Sequence, residues 1–198
     1  MSFRIEEKLF VKKEAVSGFK EFINKQSAKK IYNSRVVESI YFENSKLQMY
    51  EDSIEGLVPR KKIRIRNYPE QSNSEHNLEI KISSVEGRFK KKISLNIDKV
   101  KHYKKFGILD DQYGICFPKL KVSYVREYYQ VNDVRITIDK NILYKEYLSE
   151  FTHKDRDIIV ELKTSIKKNL DDLINYFPIQ KSRFSKYCNG IDILNNWI

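Results

Sequence analysis

Arg60, Lys62, Arg64 and Arg66 take every second position of the stretch PRKKIRIRNY, with Lys61, Ile63, Ile65 and Asn67 between them. In an extended strand alternate side chains point to opposite faces, so this spacing lines four cations along one side and leaves the isoleucines to pack on the other. A helix would scatter the same residues around its cylinder, and β-branched isoleucine favours a strand. Guanidinium groups bind phosphate oxygens two at a time and lysine adds a compact charge, so the chemistry open to such a row is the holding of an anion. A solvated sheet face or a nucleic-acid patch is the other reading of this strand taken alone.

The same alternation recurs along the chain. FRIEEKLFV aligns Arg4, Glu6 and Lys8, NLEIKIS aligns Glu79 and Lys81, and GRFKKKISL aligns Arg88, Lys90 and Lys92. VRITIDKNI sets Arg135, Thr137 and Asp139 against Val134, Ile136 and Ile138, and DIIVELKTS sets Glu161 and Lys163 opposite Val160 and Leu162. With RVVESIYFEN and KVSYVREYY, which carries Arg126, this predicts about eight strands with a charged face. Were they to close into a barrel with charges inward, the cations would repel one another at low dielectric and an anion would have to sit among them. The few carboxylates would then hold a hard divalent cation that also touches phosphate. On these grounds alone, a polyphosphate-binding β-barrel with a metal stands level with a nucleic-acid-binding sheet.

Other elements frame these strands. Residues 12–26 place Val16, Phe19, Phe22 and Ile23 at helical spacing, and NIDKVKHYKKFG reads as a short helix with Asn96 as N-cap and Gly107 as its stop. NYPEQSNSEHN, residues 67–77, is a polar hairpin loop, and LDDQYGICFPK, residues 109–119, is the other clear connection. No repeat, low-complexity tract or Pro/Gly/Ser-rich linker divides the chain, so a single domain over residues 1–198 is expected.

Composition narrows the partners. The chain has 198 residues, 40% hydrophobic and 13% aromatic, enough for a substantial core. A formal charge of +11 calls for an acidic partner: nucleic acid, an anionic membrane surface or a polyanionic small molecule. Cys116 and Cys188 are too few for a disulfide framework, which fits a reducing compartment, and His76, His102 and His153 form no ligand spacing. The N-terminal residues lack a signal peptide's apolar run and no stretch is apolar enough to span a bilayer, so a soluble, cytoplasmic protein is expected.

Taken in order, R-x-E-x-K at Arg4, Glu6 and Lys8, SIYFEN, the row from Arg60 to Tyr68, LEIK, GRFKKK, VSYVREYY, VRITIDKNI, VELK and RFSKYCNGI resemble the VTC domain. This is the catalytic domain of polyphosphate polymerases, within the CYTH-like triphosphate tunnel metalloenzyme superfamily. The resemblance runs from about residue 3 to 192, and RFSKYCNGI is similar to bacterial members. It implies an α+β fold, a closed antiparallel barrel of about eight strands with peripheral helices, enclosing a basic tunnel. It also implies that ATP, triphosphate or polyphosphate binds at Lys8, Arg64, Arg66, Lys81, Arg126, Arg135, Arg183 and Lys186, and that Glu161 holds Mn²⁺ or Mg²⁺.

Around these, Arg60, Lys62, Arg88, Lys90 and Lys92 share the right faces but suit the tunnel mouths, where they would guide anions. Glu6 is a second metal carboxylate or the partner of a tunnel lysine, and Asp139 and Glu79 suit orienting neighbouring arginines. Glu43 stands where the family commonly has Asp, which leaves the role of this carboxylate open, and Tyr50, Tyr68 and Tyr187 suit packing. Adenylate cyclase and thiamine triphosphatase relatives carry E-x-E-x-K in the first strand, where this chain has Arg4 in place of the first glutamate. One carboxylate fewer ranks polymerase chemistry above triphosphate hydrolysis. A non-catalytic polyphosphate or nucleic-acid binder is the remaining alternative, with nucleic acid disfavoured because Phe89 and Tyr124 fall mostly on the parity opposite the cations.

Overall fold

The computed structural model describes residues 4–71, 75–165 and 184–195. Its strands are β1 (Arg4–Val11), β2 (Lys29–Glu43), β3 (Arg60–Asn67), β4 (His76–Ser84), β5 (Gly87–Leu95), β6 (Ile108–Asp110), β7 (Gly114–Val131), β8 (Val134–Glu146), β9 (His153–Lys154) and β10 (Ile158–Ser165). Four α-helices lie among the described residues: α1 (Val16–Lys25), α2 (Gln48–Glu55), α3 (Ile97–Phe106) and α4 (Lys186–Asn195). The class is α+β, as the sequence predicts.

Eight strands pair in the order β1-β10-β8-β7-β2-β3-β4-β5, with the short β6 and β9 joined to β7 and β8. These eight are the strands that alternation predicts. The expected closure is corrected: among the described residues no ladder joins β5 to β1, so hydrogen bonds do not close the sheet into a barrel. The composition of β5 accounts for it, because its run of Arg and Lys is exposed and a charged edge resists pairing.

The chain divides into two compact units. The first comprises Met1–Arg35, Tyr124–Ile142 and Lys154–Phe184. Here Leu9 and Val11 of β1 lie across from Val160 and Ile158 of β10, and Val160 lies across from Ile138 of β8. Phe19 and Ile23, one helical turn apart on α1, bury themselves in the same core. Burying the Leu, Val and Ile faces of three strands leaves their other faces to the charged residues.

The second unit comprises Val36–Ser123, Leu143–His153 and Ser185–Ile198. Its strands place Ile40, Ile65, Leu78 and Ile93 in one cross-strand row. α3 begins and ends as its sequence predicts: the Asn96 side chain accepts from the Lys99 amide, and Gly107 sits at φ +81°. A Cβ on Gly107 would come 2.8 Å from the Cys116 carbonyl oxygen, so the position requires glycine.

Three local readings change. Residues 109–119 are not a plain connection but a hairpin of β6 and the start of β7, with Leu109 directly opposite Ile115. β2 begins at Lys29, ahead of the expected Arg35, because its first residues are mostly exposed and therefore carry no apolar alternation. RFSKYCNGI, noted only as a motif, runs into α4, whose Gly190 allows close contact with Leu120 and Tyr144.

Candidate active site

The basic row of β3 lies on one face of the second unit, as its parity requires. Cross-strand register sets Tyr41, Arg64, Glu79 and Lys92 side by side, with Ser39, Arg66, Asn77 and Ser94 in the next row, and Lys62, Lys81 and Lys90 in a third. Arg64 and Arg66 are buried on this face. Arg64 grips Glu79 through Nε (2.8 Å) and Nη2 (2.5 Å), and its Nη1 donates to the Tyr41 hydroxyl at 2.8 Å. Arg66 donates from Nε to Ser39 Oγ at 3.1 Å and stands 3.9 Å from Glu79. Lys90 pairs with the other oxygen of Glu79.

One carboxylate thus serves several cations, and the titration of this group reflects it. Burial pushes the Glu79 carboxyl up, but the charges of Arg64 and Arg66 and the bond from Lys90 outweigh it and hold it well below the usual carboxylate range. Lys90 is pushed down despite that bond, by burial and by Arg64 and Arg66. Burial also pushes the Tyr41 phenol up, yet Arg64, Arg66 and Lys186 pull it below its ordinary value. The face holds more positive charge than its own carboxylate neutralises, which is the electrostatic condition for taking up an anion.

α4 brings the closing motif to this face. Lys62 Nζ donates to Ser185 Oγ at 2.9 Å, contacts Cys188 Sγ at 3.5 Å and lies 5.3 Å from the Tyr187 ring centroid. Three tyrosines hold the helix: Tyr187 donates to Glu43, Tyr50 of α2 donates to Asp192, and Tyr144 accepts from Asn189 at 3.1 Å. Glu43 also accepts the amides of Met49 and Tyr50 at 3.2 and 3.1 Å, so the glutamate of uncertain role caps α2 and ties down α4. Burial pushes its carboxyl from 4.5 to about 7 against those donors. Tyr50 and Tyr187, expected only to pack, are hydrogen-bonding residues.

The first unit carries a second charged face. Register places Lys8, Glu161 and Thr137 in one row, and Lys163 and Arg135 in the adjacent one. Arg126 clasps Asp139 in a fork, Nε to Oδ1 at 2.6 Å and Nη2 to Oδ2 at 2.7 Å, and lies 4.0 Å from Glu161. Glu161 is buried and pairs with Lys163 at 3.1 Å. Burial pushes the Arg126 guanidinium down, but Asp139, Tyr124 and Glu161 raise it well above its ordinary value. Lys8 Nζ donates to the Phe184 carbonyl at 2.9 Å. Among the described residues, Arg135 Nε and Thr137 Oγ1 are buried without a hydrogen-bond partner.

Several expected residues stand differently. Arg60 donates to the carbonyls of Gly56 and Leu57 (3.1 and 2.7 Å), holding the turn after α2. Arg88 and Lys92 are exposed on β5. Arg183 lies outside the described residues, as does the side chain of Glu6, whose backbone pairs with Lys163. Tyr124 is corrected: it shares the parity of Arg126, whose guanidinium lies 5.2 Å from its ring centroid. That ring is buried and so offers no stacking platform for a base.

For a divalent metal, no group of three or more His, Cys, Asp or Glu side chains comes together among the described residues. Glu161, with the orphaned Thr137 hydroxyl opposite, offers a small set of hard oxygen donors. This fits an ion that keeps water and takes its remaining ligands from phosphate, as Mg²⁺ and Mn²⁺ do, rather than an all-protein cage.

Solved structures share this fold. A protein of Pyrococcus horikoshii superposes with a TM-score of 0.64 at 18% identity, over 96% of this chain and 99% of that one. Candidate adenylate cyclases of Bacillus halodurans and Vibrio parahaemolyticus give TM-scores of 0.62 and 0.60 at 16% and 12% identity. They cover 93% and 96% of this chain, and 94% and 98% of their own. The fold is that of the triphosphate tunnel class. The sequence matches the VTC domain over residues 3–113 and 112–195, and the chain belongs to that family. No curated protein matches the sequence.

Proposed function

We propose that this chain is a metal-dependent phosphoryl transferase that moves the γ-phosphate of ATP onto a growing polyphosphate chain, working as a single tunnel domain of the VTC kind. The observation that carries this reading is the buried pair Arg64 and Arg66 sharing a face with Lys62, Lys81 and Lys90, with Glu79 as the carboxylate between them. Arg64, Arg66 and Lys62 hold phosphate oxygens by charge-assisted bonds, with Lys186 presented from α4. Arg126, Arg135 and Lys8 take the same part in the first unit, where Arg135 Nε is a buried donor with no hydrogen-bond partner among the described residues. Glu161, 3.1 Å from Lys163 and 4.0 Å from Arg126, is the residue to hold Mn²⁺ or Mg²⁺. The metal, when bound, supplies charge stabilisation on the transferring phosphoryl group.

No side chain acts as a nucleophile; the residues align ATP with the acceptor and offset the charge that moves. Arg4 in place of a first-strand glutamate favours transfer to phosphate over hydrolysis. Among the described residues no helix is long and apolar enough to cross a membrane, and Cys116 and Cys188 are free, which suits the cytoplasm.

The test is incubation of the pure protein with ATP and Mn²⁺, followed by assay of acid-insoluble phosphate polymer, ADP and free phosphate. Polymer with ADP is the expected result. Free phosphate without polymer would make the protein a triphosphatase, and binding of tripolyphosphate without turnover would make it a binder.

A further inference from the structure

The second unit has a surface that the phosphate chemistry leaves unused. Phe106 at the end of α3, Leu109 on β6, and Ile115 and Phe117 at the start of β7 are all exposed, Leu109 by four-fifths and the others by about half. They form one cluster. Leu109 is directly opposite Ile115, and a Cβ built on Gly107, next to Phe106, would meet both Ile115 (2.9 Å) and Phe117 (3.3 Å). A contiguous apolar patch of this kind on a soluble surface marks an interaction site rather than ordinary scatter.

The segment that leads into it is strongly cationic. Between Arg88 and Phe106 the chain carries eight Lys or Arg residues and one acidic residue, Asp98. Lys99, Lys101 and Lys105 on α3 are exposed, and Lys105 Nζ lies 5.1 Å from the Phe106 ring centroid. Lys91 has the parity opposite Lys90 and Lys92, so it is directed away from the basic face that carries Glu79.

We propose that this patch docks the protein on an anionic lipid bilayer, with Phe106, Leu109, Ile115 and Phe117 entering the interface and the α3 lysines meeting acidic headgroups. Exposed phenylalanine, leucine and isoleucine next to a lysine-rich helix are the composition of an interfacial membrane anchor. A second copy of the chain fits poorly, because a two-fold contact over the patch would bring the lysines of both copies together. This inference does not depend on the proposed phosphoryl transfer.

The experiment is co-sedimentation with vesicles of phosphatidylglycerol and phosphatidylcholine, and with phosphatidylcholine alone. It is run at about 0.1 M salt, where surface charge still acts within about 10 Å. Saturating tripolyphosphate is included so that the basic face cannot itself hold the lipid phosphates. The full chain should pellet with anionic vesicles and stay in solution with neutral ones. The pair Phe106→Ser with Ile115→Ser, and separately Lys101→Glu with Lys105→Glu, should each lower the partition by about tenfold or more. Both pairs are at exposed positions, and thermal melting checks that they fold. Failure of the wild type to bind anionic vesicles, or binding that survives both double substitutions, would overturn the proposal. So would binding to anionic vesicles seen only when tripolyphosphate is left out.

Discussion

The Tyr187 hydroxyl donates a hydrogen bond to the Glu43 carboxylate, joining the end of β2 to α4. α4 opens with Lys186, one of the charges that pull down the Tyr41 phenol beside Arg64 and Arg66. Tyr187→Phe removes the donor and keeps the ring. It should lower stability to urea by about 0.5–1.5 kcal/mol, the net worth of one hydrogen bond, and weaken tripolyphosphate binding by loosening Lys186. Unchanged values in both measurements would make the contact incidental.

Glu43 also sets a pH dependence. Burial lifts its folded value from 4.5 to about 7, so between those values the folded state binds more protons than the unfolded one. The stability this group adds is therefore complete below its unfolded value and is lost as pH rises through about 7. Urea unfolding of the wild type beside Glu43→Gln, which cannot ionise, should show the wild type losing stability relative to the variant from about pH 5 to about pH 8. A constant difference would mean that Glu43 does not titrate there.

Asp139 holds Arg126 in its fork, with Glu161 farther off at 4.0 Å. Asp139→Asn leaves a buried guanidinium short of its counter-charge and should cost about 3–5 kcal/mol. Denaturant unfolding measures it, and a loss below 1 kcal/mol would mean that Glu161 alone suffices for Arg126.

Period-two alternation made much of this molecule legible. Arg64, Arg66, Lys62 and Lys81 share a face because strand geometry allows nothing else once Ile63 and Ile65 must be buried. The caps of α3 were legible for the same local reason, since Asn96 and Gly107 each act within one turn. What depends on distant partners was not legible. Nothing near Glu43 in the sequence indicates Tyr187, and the open edge at β5 depends on which strand the fold offers it. The S-x-Y-x-E spacing of Ser39, Tyr41 and Glu43 did carry a signal, because it places the partners of Arg64 and Arg66 on the basic face. α2 is too short, at 8 residues, for its pattern to stand out.

Arg66 is buried on the basic face with Ser39 and Glu79 as neighbours. Arg66→Ala removes charge-assisted bonds worth roughly 1.5–3 kcal/mol each, and so should weaken tripolyphosphate binding by about tenfold to over a hundredfold. The empty protein should keep its stability or gain some, because one of several crowded cations has gone. Titration calorimetry and thermal melting read the two effects, and unchanged affinity would remove Arg66 from the site.

The proposed metal-assisted phosphoryl transfer rests on Glu161, and Glu161→Gln keeps its shape while removing its charge. The decisive measurement compares this variant with the wild type for turnover of ATP with Mn²⁺ and for calorimetric binding of tripolyphosphate without metal. Turnover should be abolished, while metal-free binding stays intact or tightens slightly, because an anion has left a cationic face. Turnover by the variant at the wild-type rate with the same metal dependence would contradict the account, reducing Glu161 to the counter-charge of Lys163, 3.1 Å away.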